Sequence, residues 1–342
     1  MIRVKKFKKV LLLIVIFLLT LNLVACNTRN ENSKAEGESY ELKFYWVTAD
    51  TENDPYAIAA HAFKDSIESK TNGQVKINLY PNAQLGGERD AIEGMALGTI
   101  DMGVITNAPV SGFAPEFQAL DLPFIFDSSE QAHEILDSEF GKILLSKLET
   151  KGIKGLGYAE GGFRMMINNT RPINTPSDVE GVKFRVMENP IYIGMFKALG
   201  SNPTPMSWEK TFTAVQQNTI DGLESPISVI SQNKYHEVTK YLSLTNHTYS
   251  PLIFMASMKT WGKLPENLQN QIQQSVDEAV EFERNKNSEN ISILLQELEY
   301  KGMVINEVED SSLFKEKVEP LYSEFEDQIG KSILEELLEK TK

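Results

Sequence analysis

The chain has 342 residues, 41% of them hydrophobic, and a formal charge of −14. That length supplies a core for about two domains, and the acidic balance argues against nucleic acid or anionic lipid headgroups as partners of the folded body. Cys26 is the single cysteine, so no intramolecular disulfide braces the fold and no Cys-x-x-Cys motif exists.

Arg3, Lys5, Lys6, Lys8 and Lys9 precede an apolar run from Val10 to Ala25, interrupted by Thr20 and Asn22. The run is short for a membrane span, which needs about 20 apolar residues, and it suits a secretory signal peptide over residues 1–25. It ends in Leu23-Val-Ala-Cys26, which resembles the lipobox of bacterial lipoproteins. That resemblance implies that Cys26 becomes the first mature residue and that its acyl chains hold the protein to a lipid bilayer. An uncleaved anchor helix is the alternative. Residues 26–39 then form a tether, polar and without large apolar side chains after the cysteine.

Beyond the tether, strand-like and helix-like runs alternate, which indicates an α/β fold. Leu42 to Val47 and Val75 to Tyr80 read as strands. Between them Tyr56 to Lys70 reads as a helix with Ile58, Ala62, Phe63 and Ile67 inward and Gly73 as its stop. Asp90 to Leu97 is a helix before a strand from Ile100 to Ile105. Thr175-Pro-Ser-Asp178 has the form of a capping box. Asn189-Pro190 opens a helix carrying Tyr192, Met195, Phe196 and Leu199, closed by Gly200, and Ser207 caps another with Phe212 and Val215. From Pro265 to about Tyr300, Leu268, Ile272, Val276, Val280, Ile291, Leu294, Leu295 and Leu298 predict a long helix with a break near Asn287. A last acidic helix is expected from about Ser311 to the end.

Two arginines stand in short strand-like runs, Arg164 in Gly161-Gly-Phe-Arg-Met-Met-Ile167 and Arg185 in Gly181-Val-Lys-Phe-Arg-Val-Met187. A guanidinium is always charged and its planar fork of donors fits a carboxylate. On period-two alternation alone, Val182, Phe184 and Val186 share one face and Lys183 and Arg185 the other, which makes Arg185 a surface or structural arginine. For Arg164 the bland reading is a salt bridge between domains.

These runs occur with Tyr80-Pro-Asn-Ala-Gln-Leu-Gly86, Gly98-Thr-Ile-Asp-Met102, Leu120-Asp-Leu-Pro-Phe-Ile-Phe126, Ala198-Leu-Gly-Ser-Asn-Pro-Thr-Pro-Met-Ser-Trp208, Asp221-Gly-Leu-Glu-Ser-Pro226 and Leu242-Ser-Leu-Thr-Asn-His247. Together and in this order, over residues 40–300, they resemble the solute-binding lipoprotein subunit of tripartite ATP-independent periplasmic (TRAP) transporters. The resemblance implies a two-domain periplasmic-binding-protein fold, with a ligand cleft between domains and a long helix spanning both. One domain would comprise residues 40–161 with about 250–290, the other residues 162–249 with about 291–342. It implies a monomeric receptor outside the cytoplasm, anchored through Cys26, that delivers an organic acid to ion-gradient-driven membrane subunits and needs no cofactor.

Residue by residue, the resemblance assigns Arg185 to the ligand carboxylate, Arg164 to the same pocket and Trp208 to an aromatic wall. Ser225 stands where the family commonly has Asn, and Leu223 where it has Gln, so the amide hydrogen bond expected there is in doubt. Thr106 and Asn107, after a strand, and Glu88 and Trp46 are further candidates. Thr51 to Tyr56 also departs from the family pattern. A sugar acid such as a hexuronate is the first ligand class, from Trp208 and the room left by Ser225; a C4-dicarboxylate is the alternative. A receptor for an ATP-driven importer or for a membrane sensor kinase would share the architecture.

An enzyme finds little support. His61, His133, His236 and His247 are scattered, and the chain has no His-x-x-x-His and no Gly-x-Ser-x-Gly.

Overall fold

The computed structural model describes residues 38–342; the signal-like segment and Cys26 lie outside the described residues. Ten strands form the sheet scaffold: β1 Tyr40–Tyr45, β2 Val75–Tyr80, β3 Met102–Thr106, β4 Ile153–Asn168, β5 Phe184–Val186, β6 Thr204–Pro205, β7 Gly222–Pro226, β8 Tyr241–Leu244, β9 Tyr249–Ser257 and β10 Val304–Glu307. Their order is β2-β1-β3-β9-β4-β7-β5-β6, with β8 beside β4 and β10 beside β8. The α/β class read from the sequence is the class observed.

β4 organises this scaffold. Its residues Ile153 to Phe163 pair antiparallel with β9, and Arg164 to Asn168 pair antiparallel with β7. The register shifts between Glu160 and Gly162. Gly162 sits there at φ +98°, which a side chain would resist. On one side of the shift β1, β2, β3 and β9 build the sheet, and on the other β5, β6, β7, β8 and β10.

Local chemistry starts most helices where expected. Asp54 caps the helix Pro55–Lys70 by accepting from the Tyr56 and Ala57 amides. Ile58, Phe63 and Ile67 are buried, and the Phe63 ring meets Phe44 at 5.3 Å and Phe254 at 5.9 Å. Asn189 caps Pro190–Ala198 in the same way. The Thr175 box forms, with Asp178 Oδ2 accepting from the Thr175 amide at 2.8 Å. Ser207 precedes the helix Trp208–Gln216, but its hydroxyl donates to the Glu209 carboxylate instead of capping an amide.

Two expectations are corrected at the C-terminal end. The long helix Glu266–Tyr300 runs unbroken for 35 residues, about 52 Å at 1.5 Å per residue. Its middle lacks buried apolar residues because Glu283, Asn287 and Asn290 are buried against polar partners there. The Glu160 amide donates to Glu283 at 2.8 Å, Ser228 Oγ donates to Asn287 Oδ1 at 2.6 Å, and Asn290 Nδ2 donates to Asn53 Oδ1 at 2.9 Å. On either side, Leu268, Ile272 and Val276 join the larger apolar core, and Leu294 and Leu298 the smaller. The expected final helix is instead four short ones, Ser312–Val318, Pro320–Glu324, Glu326–Ile329 and Lys331–Lys340. Pro320 cannot donate its amide, and Gly330 turns the chain at φ +91°. Among the described residues no helix is long and apolar enough to cross a membrane.

Candidate ligand site

A small cavity of about 20 Å³ lies where the two halves of the sheet meet. β3 and the segment after β1 supply Thr106, Val47 and Thr48, and the helix Glu88–Leu97 supplies Glu88. From the other side come Arg164, Arg185, Trp208 and Ser225. Six of the eight residues expected to touch ligand therefore share one wall: Arg164, Arg185, Trp208, Ser225, Thr106 and Glu88.

Arg185 is 3% exposed, so the surface placement that alternation allows is corrected for this residue: Lys183 on the same face is exposed, whereas Arg185 lines the cavity. Its Nε donates to the Met206 carbonyl at 2.8 Å, and its guanidinium carbon lies 5.8 Å from the centre of the Trp208 ring. Among the described residues, neither terminal nitrogen has a protein hydrogen bond and no carboxylate lies within 4 Å. Burial holds the Arg185 pKa below its usual value, outweighing the pull of Glu224 and Glu88 nearby, because a desolvated cation with no direct ion pair is unfavourable.

Arg164 is just as buried but committed. Nε and Nη2 grip the two carboxylate oxygens of Glu224, Nη2 also reaches the Glu224 carbonyl at 2.8 Å, and Nη1 donates to Ser250 Oγ at 3.1 Å. The β4–β7 register explains the pair: Arg164 faces Pro226 and Met166 faces Glu224, so Arg164 and Glu224 are diagonal neighbours on one face. Burial alone would raise the Glu224 carboxyl, but Arg164 and His247 together hold it below the usual range. His247 has Nδ1 2.7 Å from Thr245 Oγ1, and burial lowers its pKa below the usual histidine value against the pull of Glu224.

Glu88 Oε1 accepts from the Thr106 amide at 2.9 Å, and burial pushes this carboxyl up to about 7 against the pull of that N–H, Arg185 and Arg164. Thr106 Oγ1 is 3.0 Å from Ser250 Oγ. Ser225 is buried, and among the described residues its hydroxyl has no protein partner. Leu223 faces the smaller apolar core, so the second departure in this motif lies away from the cavity.

Trp46 and Asn107 are not brought to the cavity wall. Trp46 is fully buried with its ring 6.1 Å from His61, and Asn107 Nδ2 donates to the Phe117 carbonyl at 2.9 Å. Sequence reasoning left out Glu224, Ser250 and Tyr56. The acid inside the buried run Gly222–Pro226 is the one signal that could have exposed the Arg164 pair. Two roomier grooves, about 1110 Å³ and 740 Å³, flank the long helix. The arginine in the first, Arg284, is already held by Asp137 at 2.6 and 2.9 Å.

A desolvated guanidinium fork with both tips free, facing hydroxyls and an aromatic ring, is suited to holding an organic anion. The fold and this cavity thus define a binding receptor. The chain belongs to the family described as bacterial extracellular solute-binding protein, family 7, whose model matches residues 47–328, and these receptors work with TRAP membrane subunits. It is 37% identical over 243 residues to the 2,3-diketo-L-gulonate-binding periplasmic protein YiaO of Escherichia coli, covering 71% of this chain and 74% of the relative. Over 305 residues it is 32% identical to the C4-dicarboxylate-binding periplasmic protein DctP of Rhodobacter capsulatus, covering 86% and 89%. The solved sugar acid binding protein DctPAm of Advenella mimigardefordensis, in complex with galactonate, superimposes with a TM-score of 0.86 at 33% identity, covering 89% of this chain and 98% of that one.

Proposed function

We propose that this chain is the extracytoplasmic receptor of a TRAP transporter and that its ligand is a sugar acid. The observation that carries the ligand-binding role is Arg185, a buried cation with both guanidinium tips uncommitted. Leaving a charge so placed is costly unless an anion arrives. Trp208, Ser225, Thr106 and Glu88 offer a ring face and small polar groups for hydroxyls, and the diketogulonate and galactonate relatives bind ligands of that kind.

A cavity of about 20 Å³ holds about one water, so a six-carbon acid enters only if its walls part. In this reading residues 40–161 with about 250–290 form one lobe and residues 162–249 with about 291–342 the other, and the cleft opens by hinge motion. Cys26 would carry the acyl chains of a membrane anchor, and the receptor would act as a monomer.

A C4-dicarboxylate is the second reading. The presence of Arg164 next to Arg185 and the Rhodobacter relative favour it, whereas the commitment of Arg164 to Glu224 disfavours it. A thermal-shift panel of uronates, aldonates and dicarboxylates tests both, since a ligand at 100 times its Kd stabilises by about 2.7 kcal/mol. Tighter binding of succinate or malate than of any sugar acid would replace the first reading with the second.

A further inference from the structure

We infer that Glu88 determines specificity at this site: it admits acids that carry one carboxylate and neutral hydroxyls, and turns away acids with a second carboxylate. The inference rests on the receptor reading above and adds the basis of its selectivity.

The argument is a count of uncommitted charge. Arg164 is neutralised by Glu224 across a two-pronged contact, and its remaining terminal nitrogen is engaged by Ser250. His247 is buried, with its Nε2 3.6 Å from a Glu224 oxygen rather than turned to the cavity. Arg164 keeps one spare N–H on Nη1, whereas both terminal nitrogens of Arg185 are uncommitted among the described residues, so a first carboxylate takes the Arg185 fork. The remaining side chains with a polar group on the wall are Thr48, Tyr56, Thr106, Trp208, Ser225 and Ser250, all neutral, together with Glu88. Glu209 extends the same sign of charge: its carboxylate lies 3.4 Å from where a Cβ on Gly87 would stand, next to Glu88.

Above about pH 7, where Glu88 is ionised, a second carboxylate would meet no cation free of a counter-charge and would be held near Glu88, a like-charge juxtaposition in a desolvated site. A hydroxyl has the opposite experience. Glu88 Oε1 is occupied by the Thr106 amide, while Oε2 has no protein partner among the described residues and can accept from a ligand O–H. The buried carboxylate thus favours a donor and penalises an acceptor at the same point in space.

Calorimetry at about pH 8, where Glu88 is ionised, with D-galactonate, D-glucuronate, succinate and L-malate on wild type, Glu88→Gln and Glu88→Asp tests this. The amide oxygen of Gln still accepts from Thr106, so the local fold is kept, and Asp retains the charge but withdraws it by one methylene. The expected result is that the preference for the best sugar acid over succinate falls about 10-fold or more in Glu88→Gln, with Glu88→Asp between the two. A preference that stays within threefold of wild type in both variants overturns the role of Glu88 while leaving the receptor reading intact. Wild type that binds none of the four acids overturns the two together.

Discussion

The guanidinium carbon of Arg185 lies 5.8 Å from the centre of the Trp208 ring, and the same ring packs 5.2 Å from Tyr235. Trp208 thus holds the cation as well as walling the cavity. A cation–π contact of this kind is worth about 0.5–2 kcal/mol. Trp208→Ala is expected to weaken ligand binding by about 2- to 30-fold, and Trp208→Phe by less. Calorimetry gives the affinities, and circular dichroism checks that the fold persists.

Arg185 should separate binding from stability. Removing one partner of a desolvated charge pair costs about 2–5 kcal/mol, roughly 30- to 4,000-fold in affinity. Arg185→Ala should therefore abolish tight binding, and Arg185→Lys should bind poorly because an ammonium lacks the fork. Without ligand, Arg185→Met should unfold at the same or higher urea concentration than wild type, since an unpaired buried charge is gone. An affinity within threefold of wild type in Arg185→Ala would make the residue structural.

Arg164 should behave in the opposite way. Its removal strands the Glu224 carboxylate in the interior, which costs about 3–5 kcal/mol. Urea unfolding of ligand-free Arg164→Ala should show that loss. The double change Arg164→Met with Glu224→Gln should recover part of it, and no recovery would mean that the two side chains act independently.

Burial pushes Asp54, Glu88 and Asp121 each up to about 7. Unfolded carboxylates titrate near about 4, so between about 4 and 7 the native state binds more protons than the unfolded one. Stability therefore falls as pH rises through that window and levels above it. Below it, loss of the ionised Glu224, whose folded value is lowered, reverses the trend. Thermal unfolding without ligand should give a higher Tm at pH 5 than at pH 7.5, with a smaller difference in Glu88→Gln. A Tm that rises between those two pH values contradicts this.

Cys26→Ser should leave the precursor unprocessed and without lipid. Labelling cells with a radioactive fatty acid reads this directly, and label persisting on the variant would rule out Cys26 as the acylation site.

The local parts of this structure were legible in the sequence because local chemistry makes them. Val75–Tyr80, the Asn189 cap and the Thr175–Asp178 box depend on residues within a few positions of one another. The partnership of Arg164 with Glu224 was not legible, since it depends on the register between β4 and β7, and neither was the burial of Arg185, which depends on what covers its strand. Asn287 was misread because a polar residue in a helical stripe looks like a break until its partner, Ser228, is known. Trp46, a candidate contact from the sequence, is not on the cavity wall: the chain after β1 turns its ring into the core beside His61.

The pairing of β3 with β9 joins Met102 to Ala256, and the Ile153–Phe163 part of β4 finds its partner, β9, only after β7 and β8 have been made. The order in which the chain leaves the ribosome therefore leaves the centre of the sheet for late. A truncated chain that stops before Tyr249 would carry two unsatisfied strand edges, β3 and the Ile153–Phe163 part of β4, rich in apolar side chains. Such edges are templates for pairing with other chains. The same topology makes most of the stabilising contacts distant in sequence, a property that goes with slow folding. The fragment most prone to aggregate is thus not a random one but the chain cut just short of its ninth strand.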